Sequence, residues 1–456
     1  MSTTALAAPQ VDPDIERVEA GLLPIAAEKI GVRANIRDRM RAYGVPGVSI
    51  AVIDHGEIAW AKGYGVADTT TGRPVTPQTL FQAASISKPV SALGALLLVQ
   101  RGRVNLDEDV NRALKHWRVP ESDLTRGHPV TLRTLLNHTA GLAQIDPIRL
   151  VSEPGTTFEY SAAGYTLLQQ LVADVSGKPF EHYMQSEVLE PIGMTSSAFA
   201  PTLSPKLLAI AATGHYAGGR PAPRSLHLGP ELAVAGLWTT PTDIARYALS
   251  VQRSYGSTRE LLRTELAREM LRPGLGNRGL GPAISGTAQA ARFGHDGFNE
   301  GFECSLTAYI HEGRGAVVQT NSGFAFMLIK EILESISRVY DWPAYGPTTQ
   351  QPPAAAIHQQ LVLPVPGGAL TASPGNYRLD ETLTFAVYAR ERRLFIELPD
   401  SGTAEIFATP GGRYFCPQLI FSPLGSPWLQ FVNGSDGLTT KILADDDGSV
   451  ELLRVH

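Results

Sequence analysis

The stretch FQAASISKPVSALGALLLVQRG, residues 81–102, reads as one strongly apolar helix with a serine and a lysine at its entrance. Pro89 stands in the first turn, where helical N–H groups have no intrahelical acceptor and proline is tolerated. Ser85 and Lys88 are three residues apart, so a helix places them on one face and Lys88 can point at the Ser85 hydroxyl. The helix N-terminus presents free N–H groups and positive potential, useful to a developing oxyanion. A lysine buried there loses part of its preference for the charged form and becomes a usable base. Alone, the tetrapeptide is weak evidence, since a capping serine followed by a surface lysine gives the same four letters.

Working outward, PGVSIAVIDHGEIAWAKGYGVAD before the helix alternates β-branched and apolar residues around Asp-His-Gly and predicts two strands joined by a tight turn. Residues 14–42 have apolar positions at helical spacing, interrupted at Pro24 and Gly31. From about 105 to 240 the segments are mostly helical, among them TLRTLLNHTAG, YSAAGYTLLQQLVADVSG and TPTDIARYALSVQ. Strand character returns at FECSLTAYI and GAVVQTNS, ahead of an amphipathic helix in MLIKEILESISRVY. Strands at both ends of a helical middle predict an α+β fold, one antiparallel sheet assembled from distant segments and flanked by helices. Residues 346–368, rich in Pro, Gln and Ala, read as a linker. Residues 369–456 offer eight short alternating runs divided by turn formers, the pattern of a small all-β barrel or sandwich.

Two further groups carry chemistry. Tyr160, in PGTTFEYSAAGY, stands just before a helix on a loop prepared by Pro154 and Gly155, where a phenol can pass a proton from the serine to a leaving group. Packing against that helix is the plain alternative. His295-Asp-Gly297, followed by Phe298, is one of three His-x-Gly patterns, beside those of His227 and His311. Only His295 sits in a Gly-punctuated entry to a long alternating strand, where a small residue lets a substrate lie along the sheet edge.

Ser85-x-x-Lys88, Tyr160-Ser-Ala162 and His295-x-Gly297, in this order and spacing, resemble the serine β-lactamase and penicillin-binding superfamily. The likeness is to its class C branch, with the esterases and D-stereospecific aminopeptidases and amidases grouped there. PGVSIAVI, LLNHTAGL, VLEPIGM, GLWTTPTDIARY and GHDGFNEGF agree with that branch. The resemblance covers roughly residues 25–340 and implies a β-lactamase-like domain over 1–345, with a β-rich tail that resembles a lipocalin-like accessory domain. It implies that Ser85 is acylated, that Lys88 and Tyr160 exchange its proton, and that His295 lines the pocket. The backbone N–H groups of Ser85 and Phe298 would form the oxyanion hole. Two positions depart from the lactamase pattern: Ala162 stands where Asn is usual, and His295 where Lys binds a β-lactam's carboxylate. A histidine is largely neutral near pH 7. The expectation is therefore an amide or ester hydrolase, of D-residue peptides or D-amino acid amides and esters, with weak or no β-lactamase activity. An acyltransferase or cyclase, and a non-catalytic binding relative, are the alternatives.

Composition bounds the partners. The charge is nearly balanced, at −5, with no Lys/Arg-rich block, which sets nucleic acid aside. Cys304 and Cys416 match no metal spacing and read as reduced buried thiols. Neither a metal nor another cofactor is expected. The first 21 residues make a poor secretory signal, and the longest apolar helical run is too short to span a bilayer, so a cytoplasmic protein without a membrane partner is expected. The partner is then a small molecule or short peptide, with a homodimer allowed. Capping of the cleft and dimerisation are the two roles considered for the β-rich tail.

Overall fold

The computed structural model describes residues 12–23, 33–142, 149–216, 219, 221–222, 229–257, 260–323, 325–345, 365–379, 383–390, 392–398, 402–408, 414–416, 428–444 and 450–455. The chain divides into two compact units, Val45–Ile329 and the combination of Met1–Gly44 with Lys330–His456. The expected interruptions at Pro24 and Gly31 lie outside the described residues, as do His227 and residues 346–364 of the expected linker.

In the first unit, β1 (Gly47–Asp54) and β2 (Glu57–Gly65) form the expected hairpin. His55 and Gly56 at its tip both have positive φ, 50° and 76°, the geometry whose twist suits a two-residue hairpin turn. Three very short strands, β3 (Phe81–Gln82), β4 (Ala198–Phe199) and β5 (Leu237–Thr239), make a small sheet in the order β3-β5-β4. The main sheet is completed by β6 (Ala283–Ser285), β7 (Arg292–Asn299), β8 (Phe302–Tyr309) and β9 (Gly315–Thr320). Its order is β2-β1-β9-β8-β7-β6, antiparallel throughout, so β1 pairs with β9 from the far end of the unit.

Two details differ from the sequence reading. Phe81 and Gln82 do not open the helix but pair with Thr239 and Trp238, and a 3₁₀ turn, Ala84–Ile86, separates them from α3. His295 stands ahead of the long strand β8, as expected, but within a strand of its own, β7, opposite Leu306 of β8. Glycines at 294 and 297 dilute the strand signal there, because β propensity registers side chains that pack on a pleated surface.

Counting from two short N-terminal helices, α1 (Pro13–Glu19) and α2 (Ile36–Tyr43), the apolar helix is α3 (Ser87–Gln100). It is followed by α4 (Leu132–Leu136), α5 (Ala162–Ser176), α6 (Phe180–Met184), α7 (Pro205–Leu208), α8 (Leu232–Ala235), α9 (Pro241–Gly256) and α10 (Thr264–Met270). Residues Ser87–Leu98 of α3 are buried without interruption, which explains why the helix lacks a polar stripe: it is surrounded on all sides. It packs on α5 and α8, while α9 lies against β1, β2 and β9.

In the second unit, Ser335 of α11 (Phe326–Val339) donates to the Val18 carbonyl of α1 at 2.8 Å, and α2 meets α11 through a buried acid. Arg39 gives Glu331 two hydrogen bonds, of 2.8 and 2.9 Å, and the Tyr43 hydroxyl donates a third at 2.7 Å. The eight runs of the tail become eight strands: β10 (Gly375–Arg378), β11 (Thr384–Arg390), β12 (Arg393–Leu398), β13 (Gly402–Ala408), β14 (Tyr414–Phe415), β15 (Trp428–Asn433), β16 (Thr439–Ala444) and β17 (Val450–Val455). They form a closed antiparallel barrel in which β17 returns to β10. Alternate residues such as Phe385, Val387, Leu394 and Ile396 are buried, the alternation expected when one face of each strand turns inward. Cys304 and Cys416 are both free and buried. No helix among the described residues is long and apolar enough to cross a membrane.

Leu96, fully buried on α3, tests the packing of the first unit. Leu96→Ala should destabilise it by about 2–5 kcal/mol, measured by urea denaturation; a loss below about 1 kcal/mol would mean that the site collapses around the gap.

Candidate active site

Ser85 occupies the middle of the 3₁₀ turn leading into α3, and the preceding Ala84 has φ 46°. A left-handed alanine is costly, and such a residue persists only where its surroundings over-determine it. Here β7 and β8 do so. A Cβ on Gly297 would stand 2.4 Å from the Ala83 carbonyl oxygen and 3.1 Å from the Ala84 Cβ, so only glycine lets the strand pass this close. The Cys304 thiol, one strand further, donates to the same Ala83 carbonyl at 3.1 Å. Gly297 therefore supports the turn that carries Ser85, a different use of a small residue from the one its sequence context suggested.

One helical turn on, the fully buried Lys88 amine donates to Ser85 Oγ at 3.0 Å and to the Val234 carbonyl at 3.0 Å. It lies 5.0 Å from the centre of the Tyr160 ring and 5.8 Å from that of Tyr165. No carboxylate pairs with it among the described residues. Burial pushes its pKa below the ordinary 10.5; Tyr160, by charge and hydrogen bond, opposes that shift and Arg278 adds to it. The Val234 acceptor is held indirectly. Gln169 of α5 grips both ends of the segment, donating to Pro230 O and accepting from Ala233 N, and Ser87 Oγ accepts from Leu237 N.

Tyr160 is set by its neighbours. Ser161 caps α5, its Oγ accepting from Gly164 N at 3.0 Å. His138, from the LLNHTAGL segment, holds the stretch from behind: its carbonyl accepts from Glu159 N at 2.8 Å and its Nδ1 from Ser161 N at 3.1 Å. Its ring lies on that of Tyr160, with centroids 4.4 Å apart. Because Nδ1 is the acceptor, the proton sits on Nε2, which is buried without a partner among the described residues.

His295 shows the opposite tautomer. Its Nδ1 faces the Asp296 carbonyl at 2.5 Å and must donate, leaving Nε2 a bare, buried acceptor 6.0 Å, ring to ring, from Tyr160. Burial pushes both histidines well below their ordinary 6.5, and the cations Arg278 and Lys88 push further. Both rings are neutral near pH 7.

Arg278 completes the site. Its guanidinium carbon is 5.4 Å from the Tyr160 ring centre and 5.8 Å from that of Phe158. Nη1 is buried, and among the described residues it has no partner. The loop RPGLGNRGLGP that carries it turns at Gly276, φ 63°, where a Cβ would strike the Phe158 ring at 2.4 Å.

The structure thus brings Ser85, Lys88, Tyr160, His295 and Gly297 together. Phe298 follows on β7, opposite Glu303; His311 lies away from the group, past the end of β8, against Tyr255. Arg278, His138 and the Val234 carbonyl were missed by sequence reasoning. An arginine in a glycine-rich loop ahead of the His-x-Gly strand was a usable signal for the first, and a histidine between two quoted motif residues for the second. A backbone carbonyl leaves none. No group of acidic, histidine and cysteine side chains suited to a metal occurs among the described residues.

The arrangement has counterparts. The profile of the Beta-lactamase family matches residues 32–330. The chain belongs to the Beta-lactamase family. Over 179 residues it is 28% identical to Protein flp of Staphylococcus aureus (strain N315), covering 35% of this chain and 36% of that one. Over 355 residues it is 25% identical to Esterase EstB of Burkholderia gladioli, covering 63% and 88%. The chain thus spans little more than a third of flp but most of the esterase. The crystal structure of SurE superposes with a TM-score of 0.59 at 22% identity over 92% of this chain and 97% of that one, a likeness of fold that includes the barrel. A second SurE structure holds D-Leu, at TM-score 0.57.

Two outcomes test this Beta-lactamase-family site. Gly297→Ala should leave a folded protein, by circular dichroism, whose activity falls about 100-fold as the Ser85 turn shifts; full activity would mean that the turn tolerates the methyl. The neutral histidines set a pH dependence of stability. Below 6.5 the unfolded chain takes up protons that the buried rings refuse, so each histidine removes up to about 1.4 kcal/mol per pH unit on acidification. Urea denaturation from about pH 7 to about pH 5 should show this loss, and His295→Gln should flatten it. An unchanged slope in that variant would place the dependence elsewhere.

Proposed function

We propose that the protein hydrolyses amide or ester bonds through an acyl-enzyme on Ser85. One observation carries the reading: an amine buried without a carboxylate partner among the described residues stands 3.0 Å from a serine hydroxyl. Lys88, in the fraction that burial leaves deprotonated, takes the Oγ proton as Oγ attacks the carbonyl carbon; as the tetrahedral adduct collapses, Tyr160 delivers its proton to the departing amine or alcohol and is reprotonated by Lys88. Water then attacks the ester so formed, with the same pair acting in reverse, and releases the acid. The Ser85 and Phe298 backbone N–H groups are the proposed oxyanion donors. His295, neutral and pointing an acceptor inward, binds substrate N–H or O–H groups. What supports an ester or D-residue substrate is EstB, an esterase, and the D-Leu held by SurE.

Ser85→Ala should keep the fold and lower turnover of an activated ester by at least about a thousandfold. A fluorophosphonate should add a single mass to the wild type and none to the variant. Turnover that survives the substitution would remove Ser85 from the mechanism. Because burial and Arg278 hold Lys88 below 10.5, the rising limb of kcat/KM with pH should titrate below that value. Arg278→Gln removes one of the two lowering influences and should move the limb to higher pH; a limb that stays or moves down would detach it from Lys88.

A further inference from the structure

The end of α4 carries a histidine in a place where helices ordinarily carry glycine. The N–H of Thr139 returns to the Thr134 carbonyl at 2.9 Å, and that of His138 to the Leu135 carbonyl at 3.5 Å. These are the paired bonds that close a helix through one left-handed residue. That residue is His138, with φ 61°. Glycine adopts the conformation without a side-chain clash, and asparagine is the next most usual occupant. A bulkier side chain held there is strained, and such strain gathers at functional sites, where the surroundings fix it.

What His138 touches shows the use of the position. Its carbonyl and its Nδ1 accept from Glu159 N and Ser161 N, the residues on either side of Tyr160. Its ring meets three aromatic rings: Tyr160 at 4.4 Å with the planes tilted by 32°, Tyr165 at 5.1 Å, and Phe158 edge-on at 6.2 Å. One residue thereby fixes the backbone before and after the tyrosine, together with the tyrosine ring. A right-handed residue at 138 would continue α4 and carry both acceptors elsewhere. The hold on Ser161 also needs a neutral imidazole, because an imidazolium has two donors and no acceptor. Burial and the charges of Arg278 and Lys88 keep the ring neutral.

We propose that His138 is the positioning residue of the leaving-group acid: by accepting from Ser161 N through Nδ1, it holds the Tyr160 hydroxyl where a departing amine or alcohol takes its proton. The inference rests on the hydrolase reading above, and His138 acts in it through Tyr160 rather than on the substrate. In the step it governs, the C–N or C–O bond of the tetrahedral adduct breaks and its electron pair goes to the leaving atom. The phenol proton passes to that atom, and Lys88 returns a proton to the phenolate.

The test gives the full-length protein three butyrate esters, of p-nitrophenol, phenol and ethanol, and compares kcat/KM, which reports acylation. p-Nitrophenolate leaves without a proton, whereas ethoxide needs one. His138→Ala should lose about 100-fold on the poorest leaving group that the wild type cleaves, and less than about threefold on the p-nitrophenyl ester. His138→Asn tolerates the left-handed turn and places an oxygen where Nδ1 stands, so it should regain at least about tenfold of that loss. His138→Gln, whose amide reaches the Nε2 position instead, should not. Equal losses on all esters, or a His138→Asn protein no better than His138→Gln, overturns the proposal. In Tyr160→Phe, adding His138→Ala should cost less than about threefold more on any ester; a full further loss would mean that His138 acts elsewhere, and overturns it too. Where circular dichroism shows His138→Ala unfolded, His138→Gln, which fills more of the same space, replaces it in each comparison. Failure of the hydrolase reading would appear separately, as a wild type that releases no p-nitrophenol and takes no fluorophosphonate at Ser85.

Discussion

A lysine amine sealed in the interior, with no acid beside it among the described residues, is the constraint around which the candidate site is built. Desolvation disfavours the charged form, and the usual remedy, a carboxylate, would hold the proton on the amine. The protein instead gives Lys88 neutral acceptors, a serine oxygen and a peptide carbonyl. A carbonyl partner requires backbone held in place, and that requirement reaches outward. Gln169 from one helix and Ser87 from another fix the segment around Val234, and the all-round burial of α3 fixes the lysine itself.

A second demand is set by the turn before the lysine. A left-handed alanine at 84 is held by packing from beneath, where β7 and β8 approach through Gly297 and Cys304. The main sheet is therefore more than a scaffold for helices. Its strands press on the backbone that carries Ser85, and the order β1-β9-β8-β7 brings residues from the end of the unit against residues near its start. Long-range packing of this kind joins the Ser85 turn to the His295 strand although they are separated along the chain.

Much of this was legible in the sequence, for identifiable reasons. The hairpin at 47–65, the apolar helix after Ser85 and all eight barrel runs announce themselves through periodicity, because their side chains report directly on burial. Ser85, Lys88 and Tyr160 were legible through spacing and order. What escaped depends on backbone and on emptiness. Phe81 and Gln82 are apolar and polar neighbours that fit a helix as well as a two-residue strand, and only pairing with β5 decides. The strand around His295 is diluted by glycines whose purpose is proximity to another segment. Val234 acts through its carbonyl, which no side chain reveals. Arg278 stands out because its buried Nη1 lacks a hydrogen-bond partner among the described residues, and a missing partner cannot be read from a string of letters.

The main sheet and the barrel also differ in how they end, which bears on self-association. The barrel closes on itself, each strand having a neighbour on both sides, although β14 pairs with each of its neighbours through only two residues. The six-stranded sheet has two borders, β2 and β6, and each is blunted. β6 is only three residues long, and the pairing that places β2 at the other border is broken by an irregularity between Val52 and Ile53. Short or kinked borders template poorly for another chain. A β-rich protein arranged this way is protected against strand-by-strand aggregation by its connectivity rather than by surface charge.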